Sequence, residues 1–256
     1  MVFDLTDKVA VVTGGSRGIG RAIALAYAQA GAQLVLASRK LEGVEAVAAE
    51  IRGRGGQALA VAAHMGQEDD VAGLVARAVE AFGGVDIAVS NAATNPHFGP
   101  ILSASSSQWD KIHAVNLKGA FLLAQQVAPH MKARGGGSLL LMASLAGLRP
   151  STGMGVYSVF KAGLIMLTQV LARELAPDRI RVNALAPGVI RTRFSSALWE
   201  SPEVAESIVA ATPLGRLGEV DDVVGAALYL ASPLSAYVTG EVLVIDGGLN
   251  LSGGIG

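Results

Sequence analysis

Short, uniformly apolar runs alternate with longer stretches of helical period along nearly the whole chain. The runs "KVAVVTG", "AQLVLAS", "QALAVAA", "DIAVSNA", "SLLLMAS", "RVNALAPG" and "EVLVIDGG" have the length of strands and lack polar alternation. Strands covered on both faces have this pattern. Between them, Gly18–Ala30, Leu41–Arg52, Glu68–Phe82, Gln108–Arg134 and Tyr157–Ala176 carry helical patterns. Strand and helix in alternation predict an α/β fold. Its form is a Rossmann-type, doubly wound parallel sheet of about seven strands, with right-handed crossovers and helices on both faces. No linker, repeat or low-complexity tract divides residues 1–256, so one domain is expected. The segment Ile190–Gly215 is long, partly polar and follows a strand at its C-terminal end. Ligands bind at that edge of an open α/β sheet. The segment therefore reads as a substrate lid or, more blandly, as a long surface excursion.

Composition narrows the function classes. Hydrophobic residues make up 51% of the 256 and charged residues 16%, enough for a full core without staples. A formal net charge of -1 supplies no basic field for nucleic acid and no polybasic membrane patch. With no cysteine, disulfides, thiolate metal sites and cysteine nucleophiles are excluded. The four histidines show no metal-ligand spacing, so no catalytic metal is expected. The N-terminus does not read as a signal peptide, no apolar run reaches about 18 residues, and the terminal "GGIG" is not a Ser-Lys-Leu address. A cytoplasmic protein is the expectation.

The first chemical signal is "VVTGGSRGIG". It sets Gly14, Gly18 and Gly20 between the first strand and the first helix. Glycines there allow a tight turn and close approach of a pyrophosphate, while the helix N-terminus offers amide donors. An NAD site carries a carboxylate near the end of the next strand, about 20 residues on. This chain has "LASRK" there, with Ser38 and Arg39 in that place. A guanidinium binds a 2′-phosphate that a carboxylate would repel. With Arg17 as a second cation, NADP(H) is expected over NAD(H). Otherwise Arg39 only opens the following helix.

The second signal is "VYSVFKAGLIM". Tyr157 and Lys161 lie four residues apart, so they share one helical face. Alone, the pair reads as a boundary tyrosine with a snorkelling lysine. The ordered set of motifs changes that reading: "TGGSRGIG", "SNAA", Asn116 in "HAVNLKG", Ser144 in "MASLAG", "YSVFK", "APGVIRT" and "VIDGG". Over essentially the whole chain these resemble the short-chain dehydrogenase/reductases. Within that family the chain is most similar to the NADPH-dependent carbonyl and retinal reductases of the dehydrogenase/reductase member 4 type, through "SRK", "AHMG", "SNAATNPHFG", "WDK", "RTRFSSALW" and "PLGRLGE". It resembles the bacterial 3-oxoacyl-acyl-carrier-protein reductases less closely.

The resemblance implies an NADPH-dependent reductase of ketones and aldehydes, with Asn116, Ser144, Tyr157 and Lys161 catalytic. A phenol's ordinary pKa is about 10, and a nearby ammonium pulls it down. Tyr157 and Lys161 are therefore read as a tuned acid/base, with Ser144 steadying the substrate oxygen. Asn116 would hold a water between Lys161 and solvent. Cofactor contacts are implied at Gly14, Ser16, Arg17, Gly18, Ile19, Gly20, Ser38, Arg39 and Lys40. The same is implied of His64 and Met65, Asn91 to Ala93, Tyr157, Lys161, Pro187, Gly188, Val189 and Thr192. His64 stands where the family often has an aspartate against the adenine, and Ala93 where "NAG" has glycine. Asn95, His97 and Trp199 would line the substrate mouth; His97 otherwise reads as a surface-loop histidine, with no spacing that makes it a base. A homotetramer built on the two long helices and the last strand is implied. The alternatives are a 3-oxoacyl-carrier-protein reductase and a non-catalytic NADP(H)-binding sensor.

Overall fold

The computed structural model describes residues 3–251. The terminal "GGIG", expected not to be a targeting address, lies outside them. In chain order the main elements are β1 (Val9–Thr13), α1 (Gly18–Gln29), β2 (Gln33–Ser38), α2 (Leu41–Gly53), β3 (Ala58–Ala62), α3 (Glu68–Phe82) and β4 (Ile87–Ser90). Then come α4 (Ser106–Ile112), α5 (Gly119–Ala133), β5 (Gly137–Met142), α6 (Gly155–Leu175), β6 (Ile180–Pro187), α7 (Pro202–Ala211), α8 (Asp221–Ala231) and β7 (Val242–Ile245). The strands form one seven-stranded sheet in the order β3-β2-β1-β4-β5-β6-β7, every pair parallel.

Because neighbouring residues of a strand point to opposite faces, each central strand feeds two cores. Val11, Val35, Leu139 and Val182 pack in one cluster with residues of α3, α5 and α6. Val12, Leu36, Leu140 and Leu185 pack in the other with residues of α1, α2 and α8. The continuous apolar pattern is thus explained for the central strands. The edge strands β3 and β7 are only partly covered. Tyr27 ties the second layer together, its buried hydroxyl donating to Ala227 O at 2.9 Å.

The sheet changes direction of winding between β1 and β4, where a doubly wound fold places its ligand crevice. Thr13 stitches that point: its Oγ1 donates to Val89 O and accepts from the amides of Asn91 and Ala92. Both strand ends therefore open into one rigid floor.

The helix expected over Gln108–Arg134 runs without a break but is not α-helical throughout. A π-helical turn, His113–Lys118, separates α4 from α5. Its reason lies 22 residues back in the chain: Asn116 is pulled into a two-way bond with the Thr94 backbone, accepting from its N–H at 2.8 Å and donating to its carbonyl at 3.0 Å. Gly119 then meets the Met65 carbonyl so closely that a Cβ would lie 2.4 Å from it. Such turns recur at functional sites. The α6 region is long and apolar enough to cross a membrane by length and composition alone, although polar residues such as Lys161, Thr168 and Gln169 interrupt it. Its buried face, with Val156, Phe160 and Leu164, instead packs into the cores of this fold.

Candidate active site

The glycine turn sits at the C-terminal end of β1. Gly14 and Gly18 have φ of +67° and +54°, the left-handed region that disfavours side chains. A Cβ on Gly20 would stand 2.4 Å from Gly14 O, so the first helical turn rests directly on the loop. The N-terminus of α1 has no side-chain cap and no acid in its first turn. Its amides and positive dipole end are left for an anion. The Gly20→Ala substitution is expected to push α1 off the loop. Nucleotide affinity should drop at least roughly tenfold in titration calorimetry, about 1.4 kcal/mol, with a lower melting temperature.

Ser38 ends β2 and donates to the Lys40 carbonyl at 2.7 Å, turning the chain into α2. Gly43 of α2 lies so near Ser16 that a Cβ would be 3.1 Å from the serine Cβ. The start of α2 is thereby drawn against the glycine turn. Among the described residues, none of the ion pairs involves Arg17, Arg39 or Lys40. Three cations therefore stand around the end of β2 without carboxylate partners. His64, beyond the end of β3, accepts the Gly66 N–H at Nδ1, and its own backbone N–H is capped by Asp70. Met65 is buried beside it.

Asn91 has a scaffolding role in its side chain: Nδ2 donates to the carbonyls of Thr13 and Gly14. This leaves the backbone of Asn91, Ala92 and Ala93 as the surface along the crevice. Past β6, the Gly188 N–H donates to Ile245 O, and a Cβ on Gly188 would strike Asp246. That contact fixes Pro187, Gly188 and Val189 as a strap over the sheet end. Thr192 then crosses to the glycine turn, where its methyl lies within reach of a Cβ on Gly18.

The catalytic candidates converge between β5 and α6. Met142 ends β5, and its carbonyl accepts from Lys161 Nζ. Two residues on, Ser144 caps a short 3-10 turn, its Oγ accepting from Ala146 N at 3.1 Å. Gly147 in that turn touches the Lys161 backbone, where a Cβ would lie 2.7 Å from the carbonyl carbon. This contact seats Ser144 beside the first turn of α6, where its hydroxyl faces that of Tyr157 and favours the phenolate. Lys161 Nζ is 5.4 Å from the Tyr157 ring centroid.

Both partners are buried, Tyr157 at 7% and Lys161 at 2% exposure. Burial pushes the Tyr157 phenol up to about 12, against the pull of the Ser144 hydrogen bond. Burial also pushes the Lys161 ammonium down to about 7. Where the sequence led to the expectation of a lowered phenol, burial holds it above its ordinary value, and the Lys161 ammonium is turned to the Met142 carbonyl. The Asn116 side chain is tied to the Thr94 backbone by one bond in each direction.

At the mouth, His97 is not a surface histidine. It is 6% exposed, and Nε2 is 3.1 Å from Ser103 Oγ. Asn95, two residues earlier, has an Oδ1 that is buried without a partner. The loop carrying both is pinned beside α6, because Gly99 N donates to Gly153 O. In the segment 190–215 a 3-10 stretch, Arg193–Leu198, precedes α7. Trp199 Nε1 donates to Thr192 O at 3.1 Å, and Arg191 stacks on its ring while pairing with Glu219. Trp199 thus braces this segment from within. Sequence reasoning missed Phe194, whose half-exposed ring lies 5.9 Å from that of Tyr157. Its place in "IRTRFSS", two residues past Thr192, was the available signal. Among the described residues, no group of three or more His, Cys, Asp or Glu could hold a metal ion.

A glycine turn under an open helix N-terminus, joined across the sheet to a Ser-Tyr-Lys cluster, defines a nicotinamide-dependent oxidoreductase site for alcohols and carbonyls. The family model described as "Enoyl-(Acyl carrier protein) reductase" matches residues 14–250. The chain belongs to the short-chain dehydrogenase/reductase family, whose members bind a nicotinamide cofactor and act on small molecules. It is 45% identical over 244 residues to human dehydrogenase/reductase SDR family member 4, covering 95% of this chain and 88% of that protein. A short-chain type dehydrogenase/reductase from Mycobacterium marinum superposes with a TM-score of 0.91 at 40% identity, covering 96% of this chain and 97% of that one. A candidate NAD(P)-dependent gluconate 5-dehydrogenase from Beutenbergia cavernae, solved with NADP at low occupancy, gives 0.93 at 38% identity over 98% and 99% of the two chains.

Proposed function

We propose that the protein is an NADPH-dependent reductase of ketone and aldehyde carbonyls, reversible as an alcohol dehydrogenase. The observation that carries this reading is the buried Tyr157, its hydroxyl facing Ser144 and its ring 5.4 Å from Lys161 Nζ. When bound, the nicotinamide supplies a hydride to the carbonyl carbon. Tyr157, kept protonated at neutral pH by its burial, gives its phenolic proton to the oxygen as negative charge develops there. Ser144, its Oγ fixed by Ala146 N, turns its own hydrogen to the same oxygen. Lys161 would hold the nicotinamide ribose and, with Asn116 in the π-helical turn as the expected water holder, return a proton to Tyr157.

The residues fit the phosphorylated cofactor. Gly14, Ser16, Gly18, Ile19 and Gly20 form a cradle that a Cβ would fill, and Arg17, Arg39 and Lys40 are free to meet a 2′-phosphate. The Beutenbergia relative with bound NADP supports the same choice. Arg39→Asp is expected to cut the NADPH-to-NADH preference in kcat/KM by about 100-fold, the scale of charge-assisted hydrogen bonds lost and a repulsion gained. Steady-state rates with each cofactor check it.

We read residues 1–256 as one cofactor-binding domain acting in the cytoplasm, with no membrane or nucleic-acid partner. The exposed face of α5 and α6, with Phe121, Met166 and Val170 around an open apolar groove, is read as the surface that assembles a tetramer. A carrier-protein substrate would need a basic surface beside the lid, and Arg191 is already engaged by Glu219 and Trp199. A panel of aromatic ketones, diketones, retinal and an acetoacetyl thioester, run with NADPH and with NADH, separates the readings. Faster turnover of the thioester than of every free carbonyl would overturn the carbonyl-reductase assignment. NADPH binding with no turnover of any member would favour the sensor.

A further inference from the structure

The motif "VIDGG" ends β7 and takes no part in the chemistry described above. The chain turns sharply after it. The Asp246 carboxylate accepts two backbone N–H groups of the turn it opens, from Gly248 at Oδ1 (2.9 Å) and from Asn250 at Oδ2 (2.6 Å). Three separate pieces of the site meet this turn. A Cβ on Gly188 would stand 2.8 Å from the Asp246 Cβ, so the strap of Pro187, Gly188 and Val189 rests on it. On the return from α7, the Leu214 N–H donates to Gly247 O at 3.1 Å. Cβ atoms on Gly247 and Gly248 would lie 2.8 Å from Thr212 Cγ2 and 2.9 Å from Pro213 Cγ. Arg149, just past the Ser144 turn, donates from Nη1 to the Asn250 carbonyl.

The three pieces are not equally supported elsewhere. The Ser144 turn is rigid: the Gly147 N–H donates to Ser144 O at 2.9 Å, the Arg149 N–H donates to Leu145 O at 3.0 Å, and Gly147 is seated on the Lys161 backbone. α7 has no such footing, since none of its residues is buried. At its end, Ile208, Thr212 and Leu214 line a cavity of about 150 Å³ together with Val189, Asp246 and Leu249. Side chains facing a void lack packing partners on that side, so the position of α7 depends on the contacts at its return. We infer that Arg149 and Asp246 are positioning residues for the substrate. Asp246 shapes the turn after β7, Arg149 fastens that turn beside Ser144, and the turn thereby holds the return of α7 in fixed register with the Ser144 loop. The effect on turnover rests on the reductase reading above; the hold on α7 does not.

The test is hydrogen–deuterium exchange of the whole protein, read by mass spectrometry, beside steady-state kinetics. Arg149 is exposed, so Arg149→Met removes the guanidinium without opening the core. The peptide carrying Leu214 should then exchange about tenfold faster, the scale of a lost charge-assisted hydrogen bond. Peptides of β1 and of the Ser144 turn should keep wild-type rates. Asp246→Asn should do the same, because an amide offers one acceptor oxygen where the carboxylate offers two. In Arg149→Met the KM for an aromatic ketone should rise about tenfold, with kcat and NADPH affinity within about twofold of wild type, since a loosened wall weakens ground-state and transition-state binding alike. Arg149→Lys, which keeps a charged donor, should recover most of both losses. Exchange at Leu214 unchanged in both Arg149→Met and Asp246→Asn, or faster exchange spread evenly through the sheet, overturns the inference. So does an unchanged KM despite faster exchange at Leu214. If the wild type turns over no carbonyl, the reductase reading falls, and exchange alone still decides whether the turn holds α7.

Discussion

Tyr157→Phe is expected to lower kcat by about 10³-fold, within the range for loss of a positioned proton donor, while nucleotide affinity and melting temperature stay close to wild type. The ring of Tyr157 is packed and only its hydroxyl reaches chemistry, toward Ser144. Removing one oxygen leaves that packing and the 5.9 Å contact with Phe194 intact. The loss should therefore fall in kcat, with little change in KM. Because burial holds the phenol at about 12, its proton is present throughout the neutral range. Carbonyl reduction should be nearly flat with pH there, and alcohol oxidation, which needs the phenolate, should climb as pH rises. Steady-state rates in both directions, for both proteins, check each point.

Lys161→Met is expected to separate stability from activity. Lys161 is buried, its Nζ held by the Met142 carbonyl, and burial lowers its pKa from 10.5 to about 7. Between those values the unfolded chain holds a proton that the folded chain has released, so wild-type stability rises with pH across that window. Below about 7 both states are protonated and the full penalty of the buried charge is present; above about 10.5 it is gone. Methionine fills similar space without charge. The variant should be more stable than wild type by a few kcal/mol near pH 7, on the order of 1.4 kcal/mol for each tenfold loss of proton affinity on burial. Loss of the bond to Met142 offsets about 1 kcal/mol of this. Its advantage should shrink steadily toward pH 10, as read by urea denaturation. Turnover should fall by roughly 10² or more, since the group that returns the proton to Tyr157 is gone. A variant less stable than wild type at pH 7 would mean that Lys161 is neutralised by something other than burial.

Much of this architecture follows from local rules that sequence displays. Central strands must be apolar on both faces, so β1, β4, β5 and β6 stand out. A phosphate turn must have glycine where φ is positive, so Gly14 and Gly18 announce it. Tyr157 and Lys161 are one helical turn apart, and α6 does bring them together. What escaped reading depends on partners distant in the chain. The π-helical turn at His113–Lys118 exists because Asn116 bonds to Thr94, 22 residues away. The raised phenol depends on how deeply α6 is buried, which periodicity does not reveal. Gly147 is ordinary in sequence, and only contact with the Lys161 backbone shows that it seats Ser144. Phe194 reads as one more apolar residue until the fold brings its ring beside that of Tyr157. His97 looks like a loop residue in sequence because burial by a neighbouring turn leaves no local pattern.

The most direct measurement uses NADPH carrying deuterium at the transferable position of its nicotinamide ring, mixed with the purified protein and an aromatic ketone. Mass spectrometry of the product then reads where the label goes. The account predicts an alcohol with one deuterium on its carbinol carbon, formed by the wild type and nearly absent with Tyr157→Phe. Alcohol formed at the wild-type rate by the Tyr157→Phe protein, or product without the label, would contradict it.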